Sequence, residues 1–127
     1  MASIKDLRGM VLTEVTVNRE KDEILFVNSI GDRYLMFHEQ DCCESVHIDD
    51  ICGDLQDLVG STILVAEENS SDGSGTDENG WHESSTWTFY KLATAKGYVD
   101  IRWFGTSNGY YSERVSLVKN DDYYNDF

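Results

Sequence analysis

The sequence contains no proline and only three cysteines, and each shortage excludes a class of protein. Without proline, rigid proline-rich linkers and proline-rich recognition motifs are excluded. The number of cysteines is odd and Cys42 and Cys43 are adjacent, so a disulfide framework is not expected. No apolar run approaches the roughly 20 residues that span a bilayer, and residues 1–10 lack the apolar core of a secretory signal. We therefore expect a cytoplasmic protein.

Basic residues are also scarce, at 10 against 24 acidic residues, which gives a formal net charge of −14. Such a chain repels DNA, RNA and anionic membranes at long range, so direct nucleic-acid binding is not expected. Its natural partners are basic surfaces, although the same acidity can also serve solubility alone. At 127 residues the chain is long enough to fold without disulfides or metal.

The clearest pattern is over residues 86–117, where aromatic and β-branched residues alternate with polar ones as in half-buried strands. Gly97 marks one reversal, and Asn108-Gly109 is a dipeptide that favours a hairpin turn. We therefore predict a three-stranded meander. Its inner face is predicted to carry Trp87, Phe89, Val99, Ile101, Trp103, Val115 and Leu117, and its other face Tyr90, Asp100, Arg102, Tyr110, Ser112 and Arg114.

Short apolar runs separated by polar turns continue through the rest of the chain. Those at 10–18, 23–29 and 33–39 predict an N-terminal meander, and that at 61–68 predicts one more strand. We expect one globular domain over residues 1–119.

One helix is predicted between two of these strands. The apolar residues of 50–59 have helical spacing, Asp49 or Asp50 can cap the first turn, and Gly60 can end the last one. The predicted fold is α+β, with a curved or barrel-like antiparallel sheet of seven to eight short strands and one short helix.

Two segments stand apart from this pattern. Residues 69–83 have almost nothing to bury and are predicted to form a long polar loop. The tail at 120–127 carries three aspartates and three aromatic residues, and either frays or forms an acidic-aromatic contact arm.

Candidate metal ligands are present in poor arrangements. Cys42, Cys43, His47 and Cys52 fall in one short segment, whereas structural zinc sites present two separated pairs of ligands. Small buried apolar residues are the better interpretation of the cysteines. The acidic loop matches a calcium-binding loop poorly, because Asp77 stands where glycine is needed. We therefore expect no metal and no cofactor.

The sequence also lacks a complete set of catalytic residues. The Gly-Ser-Gly sequence at 73–75 lacks the lysine and the strand-to-helix context of a phosphate-binding loop. A thiolate at Cys42 or Cys43, paired with His38 or His47, would be opposed by neighbouring acids that raise the pKa of a thiol. We do not expect an enzyme.

Four runs of the chain form a distinctive combination: Asp41-Cys42-Cys43-Glu44, Asp49-Asp50-Ile51-Cys52-Gly53-Asp54-Leu55, Trp87-Thr88-Phe89-Tyr90 and Ser107-Asn108-Gly109-Tyr110-Tyr111-Ser112. Together they resemble a family of small proteins found in tailed-phage and prophage genomes, over residues 23–112. The resemblance brings no assigned functional residues. It implies a setting, the bacterial host cytosol, in which small accessory proteins neutralise host defences or redirect host enzymes.

Two functions fit this setting. In the first, the protein is an anti-CRISPR-like inhibitor whose acidic surface mimics nucleic-acid phosphate and binds a basic, nucleic-acid-handling defence effector. In the second, it is a sponge that sequesters a nucleotide-derived immune signal. The net charge favours the first and the Tyr-Arg face the second, and we prefer the first. The first predicts contacts by Asp72, Asp77, Glu78, Asp121 and Asp122, and the second by Tyr90, Arg102, Trp103, Asn108, Tyr110, Tyr111 and Arg114.

Overall fold

The structure is a computed structural model that describes residues 2–39, 44–76, 82–107 and 113–119. These residues form eight strands and two short 3-10 turns, Ile4–Leu7 and Leu55–Leu58. Within the same ranges, no helical segment has the length and apolar character needed to cross a membrane. The strands are β1 (Leu12–Val17), β2 (Glu23–Asn28), β3 (Arg33–Phe37), β4 (Ser45–Cys52), β5 (Val65–Thr76), β6 (His82–Thr94), β7 (Gly97–Ser107) and β8 (Ser116–Lys119).

The strands form two four-stranded sheets in place of the single curved sheet that the sequence predicts. The first sheet has the order β1-β2-β3-β8 and the second the order β4-β7-β6-β5, with antiparallel pairing throughout. The predicted N-terminal meander is confirmed as β1-β2-β3. Strand β8 returns to pair with β3, where Leu35 lies opposite Val118, so the last described strand completes the first sheet.

Both sheets contribute to one hydrophobic core. Phe26 and Met36 of the first sheet are buried in the same cluster as Ile101 and Trp103 of the second. Buried residues alternate with partly exposed ones along β2 and β7, which is the period of a strand with one face on the core. Burial of such large side chains is the main source of stability for this arrangement.

The predicted helix at 50–59 is wrong. Strand β4 continues through Cys52, Gly53 reverses the chain with φ of 105°, and only Leu55–Leu58 forms a 3-10 turn. A Cβ atom at Gly53 would lie 2.7 Å from the carbonyl oxygen of Tyr98, so the turn lies tightly against β7. The apolar spacing of this segment therefore reflects a strand end and a tight turn.

The predicted loop at 69–83 is also wrong over most of its length. Residues 69–76 belong to β5 and residues 82–83 to β6, and the two strands pair without a break from Val65↔Ala93 to Thr76↔His82. Strand β6 supplies the hydrogen-bonding backbone against which a polar strand can form, because the ladder joins main-chain groups. Residues 77–81 and the tail at 120–127 lie outside the described residues.

Candidate partner-binding face

The outer face of the second sheet differs from the prediction in strand β6. Thr88 and Tyr90 are buried, whereas Phe89 is 40% exposed and Trp87 is half-buried on the outer side. The predicted phase of β6 is therefore wrong, while that of β7 is confirmed by the fully buried Ile101 and Trp103. Phe89 and Tyr90 are neighbouring aromatic residues, so the sequence does not show which of the two faces the core. Tyr90 tolerates burial because its hydroxyl donates a hydrogen bond to Glu68.

Three aromatic rings meet on this outer face. The ring centre of Trp87 lies 4.3 Å from that of Phe104, its partner across the β6-β7 pair, and 6.5 Å from that of Phe89. All three side chains are partly exposed. A contiguous exposed aromatic cluster is typical of a surface that binds another molecule.

Charged side chains lie beside the rings. The guanidinium carbon of Arg102 is 5.2 Å from the ring centre of Trp87. Nε and Nη2 of Arg102 donate hydrogen bonds to Oδ2 of Asp49, at 2.8 and 2.6 Å, and Oδ2 of Asp50 is 3.9 Å from Nη2. Asp100 lies on the same face, two residues before Arg102 along β7. Two carboxylates therefore lie within 4.0 Å of one guanidinium group, and a third lies on the same face.

A β-bulge makes this acidic arrangement possible. The β4-β7 register shifts between Ile48 and Asp50, so Asp49 is the additional residue. A bulge breaks the strict alternation of side chains. Asp49 and Asp50 are consequently both exposed and both within 4.0 Å of Arg102. We call the surface formed by Trp87, Phe89, Phe104, Asp49, Asp50, Asp100 and Arg102 the aromatic-acidic face.

The carboxylates at the edge of this face change the pKa of the Cys52 thiol. Its Sγ donates a hydrogen bond of 3.4 Å to Oδ2 of Asp50, and Cys52 lies opposite Asp100 across the β4-β7 pair. The hydrogen bond to Asp50 raises the pKa of the thiol, the charges of Asp50 and Asp100 raise it further, and Arg102 acts in the opposite direction. A raised pKa keeps the thiol protonated and unreactive. The predicted buried role is wrong for Cys52, which is exposed.

The residues predicted to bind a nucleotide are not brought together as one surface. Trp103 is fully buried in the core and Tyr90 is 2% exposed, so neither ring lies on the outer face where the sequence predicts Tyr90 beside Arg102. Arg102 lies on the aromatic-acidic face, whereas Arg114 lines a cavity on the inner side of the second sheet together with Tyr90. Asn108, Tyr110 and Tyr111 lie outside the described residues.

Of the predicted acidic contacts, only Asp72 falls in a described segment, where its backbone pairs with Thr86. Asp77, Glu78, Asp121 and Asp122 lie outside the described residues.

The sequence predicts Asp100 on the outer face with Arg102, as observed, but it assigns Asp49 or Asp50 to a helix cap and so misses both as members of this face. The adjacent Asp49-Asp50 pair is the sequence feature that could have indicated this arrangement. If strand β4 is extended to Cys52, the pair lies beside Arg102 of β7.

Among the described residues, no group of three or more His, Cys, Asp and Glu side chains is placed to hold a metal ion. His47 is exposed between buried Val46 and Ile48, as its position in the strand predicts, and Cys42 and Cys43 lie outside the described ranges.

The fold and this face define a two-sheet antiparallel β protein with an aromatic, acidic surface on its second sheet. Residues 5–117 match the model of a domain of unknown function, DUF7448, and the chain belongs to that family. No curated protein and no solved structure is significantly similar to the chain. Its function must therefore be inferred from its own surfaces.

Proposed function

We propose that the protein is a non-enzymatic inhibitor that binds a basic, nucleic-acid-handling protein through the aromatic-acidic face. The observation that carries this proposal is the placement of Asp49, Asp50 and Asp100 beside partly exposed aromatic rings on one sheet face. A nucleic-acid-binding surface offers arginine and lysine side chains at the positions where it meets phosphates. Carboxylates can take the place of those phosphates, and aromatic rings can stack on the guanidinium groups.

The two components of the face have separate roles in this proposal. Trp87, Phe89 and Phe104 provide apolar area that loses contact with water on binding, which supplies affinity. The surrounding carboxylates, together with the formal net charge of −14, attract a basic partner at long range and speed the encounter. Arg102 bonds directly to Asp49, whereas Asp50 is exposed and lies farther from Arg102, at 3.9 Å, so Asp50 is the carboxylate that a partner reaches most readily.

The proposed partner is a bacterial defence effector in the host cytosol, as in an anti-CRISPR protein. This part of the proposal is supported by the resemblance of four sequence runs to proteins of tailed phages and prophages, and by the acidic charge. The same setting makes phage infection the circumstance in which the activity is needed.

One observation favours the second candidate, a nucleotide sponge. Tyr90 and Arg114, both predicted to bind such a ligand, line the same cavity. The cavity also contains Glu68 and Glu113, however, and like charges repel an anionic ligand. The inhibitor is therefore the preferred proposal.

The test uses the full chain and a panel of purified nucleic-acid-handling defence effectors. Binding is measured by biolayer interferometry, first with each effector alone and then with its nucleic acid added as a competitor. The proposal expects at least one effector to bind with a dissociation constant below about 1 µM, and nucleic acid to displace it. Binding that nucleic acid leaves unchanged would contradict phosphate mimicry.

A further inference from the structure

A cavity of about 430 Å³ opens on the inner side of the second sheet, between β5, β6, the N-terminal 3-10 turn and the chain that enters β8. This volume is within the range of sites that hold small organic molecules. The polar residues of its lining that carry the argument are Glu68, Thr88, Tyr90, Glu113, Arg114 and Ser116.

Glu113 is a buried carboxylate at this cavity, 7% exposed. Its Oε1 accepts a hydrogen bond from the Thr86 hydroxyl and its Oε2 accepts one from the Ser107 hydroxyl, both at 2.6 Å. Gly105 makes room for it, since a Cβ atom there would lie 2.9 Å from the Glu113 Cβ. The two hydroxyls fix the carboxylate in position, and its charge contributes a negative potential at the cavity.

Glu68 is held at the same cavity from the opposite side. It lies across the β5-β6 pair from Tyr90, whose hydroxyl donates a hydrogen bond to it. Burial raises the pKa of Tyr90, and the hydrogen bond to Glu68 raises it further, so the hydroxyl keeps its proton and continues to donate. One donor satisfies only part of the capacity of a carboxylate, which can accept several hydrogen bonds.

Thr88 and Ser116 provide an independent indication of a ligand. Both line the cavity and are buried, with exposed fractions of 5% and 8%. In the described part of the chain, neither hydroxyl takes part in a hydrogen bond. The two oxygen atoms are open to the cavity, since among the described residues the buried side-chain polar atom that lacks a partner is Nε1 of Trp103. Each hydroxyl can therefore accept a hydrogen bond from a ligand in the cavity.

We propose that this cavity binds a small organic cation, with an ammonium or guanidinium group held by Glu68 and by the hydroxyls of Thr88 and Ser116. An ammonium carries three N–H donors, and these three side chains offer oxygen acceptors. Two carboxylates and the guanidinium of Arg114 leave the lining with one formal negative charge, which matches a single positive charge on the ligand. The site is separate from the aromatic-acidic face, which lies on the other side of the same sheet.

The test is a titration of the ¹⁵N-labelled full chain with n-butylammonium, n-butylguanidinium, n-butanol and butyrate, followed by NMR. The two cations are expected to cause saturable shifts of the amides of Glu68, Thr88 and Ser116, and the neutral and anionic analogues are not. Equal shifts with butyrate, or no saturable shift at these amides, would overturn the proposal.

Two variants sharpen the test. Glu68→Gln is expected to weaken n-butylammonium binding about tenfold or more, the usual effect of losing a hydrogen bond to a charged group. Its control is Glu67→Gln, which removes the same charge from the adjacent residue of β5. Glu67 is exposed, lies opposite Lys91 in the β5-β6 register and does not line the cavity, so this variant is expected to leave binding unchanged. Equal weakening by both variants would show a general charge effect and contradict a specific site.

Thr88→Val separates a ligand contact from a structural role. Valine has nearly the same shape but removes the hydroxyl, which faces the cavity and makes no hydrogen bond within the described residues, so the melting temperature is expected to change little. Binding of n-butylammonium is expected to weaken about fivefold. A stability loss with unchanged binding would assign the hydroxyl to the fold and overturn its role in the site.

Discussion

The guanidinium carbon of Arg102 lies 5.2 Å from the centre of the Trp87 ring on the neighbouring strand, while Nε and Nη2 of Arg102 donate hydrogen bonds to Asp49. Arg102 thus occupies, within the chain, the position that an arginine of a basic partner would take against the same ring and carboxylates. An aromatic ring with a carboxylate beside it is a suitable environment for a guanidinium group.

Replacing Arg102 is expected to make the face more attractive to a basic ligand. Arg102→Gln leaves Asp49 and Asp50 without their cation, so the affinity for an octa-arginine peptide should rise about threefold at low salt. The melting temperature should change little, because both side chains of the ion pair are partly exposed to solvent, which weakens the pair. Fluorescence anisotropy measures the affinity, and Arg102→Lys, which keeps the charge, is the control. Unchanged affinity in the Gln variant would show that the peptide binds elsewhere.

The tight turn at Gly53 is expected to be sensitive to any side chain. Gly53→Ala places a Cβ atom 2.7 Å from the Tyr98 carbonyl oxygen in a backbone with φ of 105°, so we expect a loss of about 3 kcal/mol in the free energy of unfolding. Gly31→Ala is the control, since Gly31 has φ of 92° but no atom within 4 Å of the added Cβ, and should lose about 1 kcal/mol. Urea unfolding measures both, and equal losses would contradict the close packing of the turn on β7.

The hydrogen bond between the buried side chains of His38 and Glu44 needs a proton on one of the two facing atoms. Nδ1 of His38 lies 2.6 Å from the Arg114 carbonyl oxygen, which can only accept, so Nδ1 donates. Nε2 lies 3.1 Å from Oε2 of Glu44, and a hydrogen bond there needs one more proton, on the ring or on the carboxyl group. Both side chains are almost fully buried.

This arrangement makes the two substitutions of Glu44 unequal. Glu44→Ala leaves the His38 nitrogen buried without its partner and should cost about 2 kcal/mol of unfolding free energy. Glu44→Gln can donate an amide hydrogen to a neutral imidazole and should lose less than half as much. Thermal unfolding at pH 7 compares them, and a Gln variant as unstable as the Ala variant would rule out the proposed hydrogen-bonding role.

The reactivity of Cys52 is expected to depend on its acidic neighbours. Because the pKa of this thiol is raised, the thiolate fraction at pH 8 is smaller than that of an ordinary exposed cysteine, and alkylation by iodoacetamide should be slower. Asp50→Asn removes the leading cause of the shift and should increase the rate at that pH. Peptide mapping by mass spectrometry follows Cys52 separately from the other cysteines. A rate that Asp50→Asn leaves unaltered would contradict the assignment of Asp50 as the cause.

The sequence predicts the parts of the fold that depend on simple alternation. The buried sets of β2 and β7 alternate with more exposed residues, and the N-terminal meander follows from the same pattern. The prediction fails at β6 because neighbouring Phe89 and Tyr90 are both aromatic, and at β5 because a polar strand is stabilised by the backbone of its neighbour.

The candidate sites depend on relationships that no local pattern contains. Asp49 reaches Arg102 through a β-bulge and across 53 residues of chain, and Glu113 meets Thr86 across 27. The hydroxyl of Thr88 lines a cavity only because the N-terminal turn and the chain entering β8 close over the inner side of β6. Such contacts follow from tertiary packing, so composition predicted the acidic character but not its location.

The measurement that tests the proposed function most directly is the affinity of the triple variant Asp49→Asn, Asp50→Asn, Asp100→Asn for an effector that binds the unaltered chain. Its control is Glu14→Gln, Glu20→Gln, Glu39→Gln, which removes three exposed charges from other parts of the surface. The face variant should bind about tenfold more weakly and with a shallower dependence on salt, while the control should stay within about twofold. Equal weakening by the two variants would contradict the aromatic-acidic face as the binding surface.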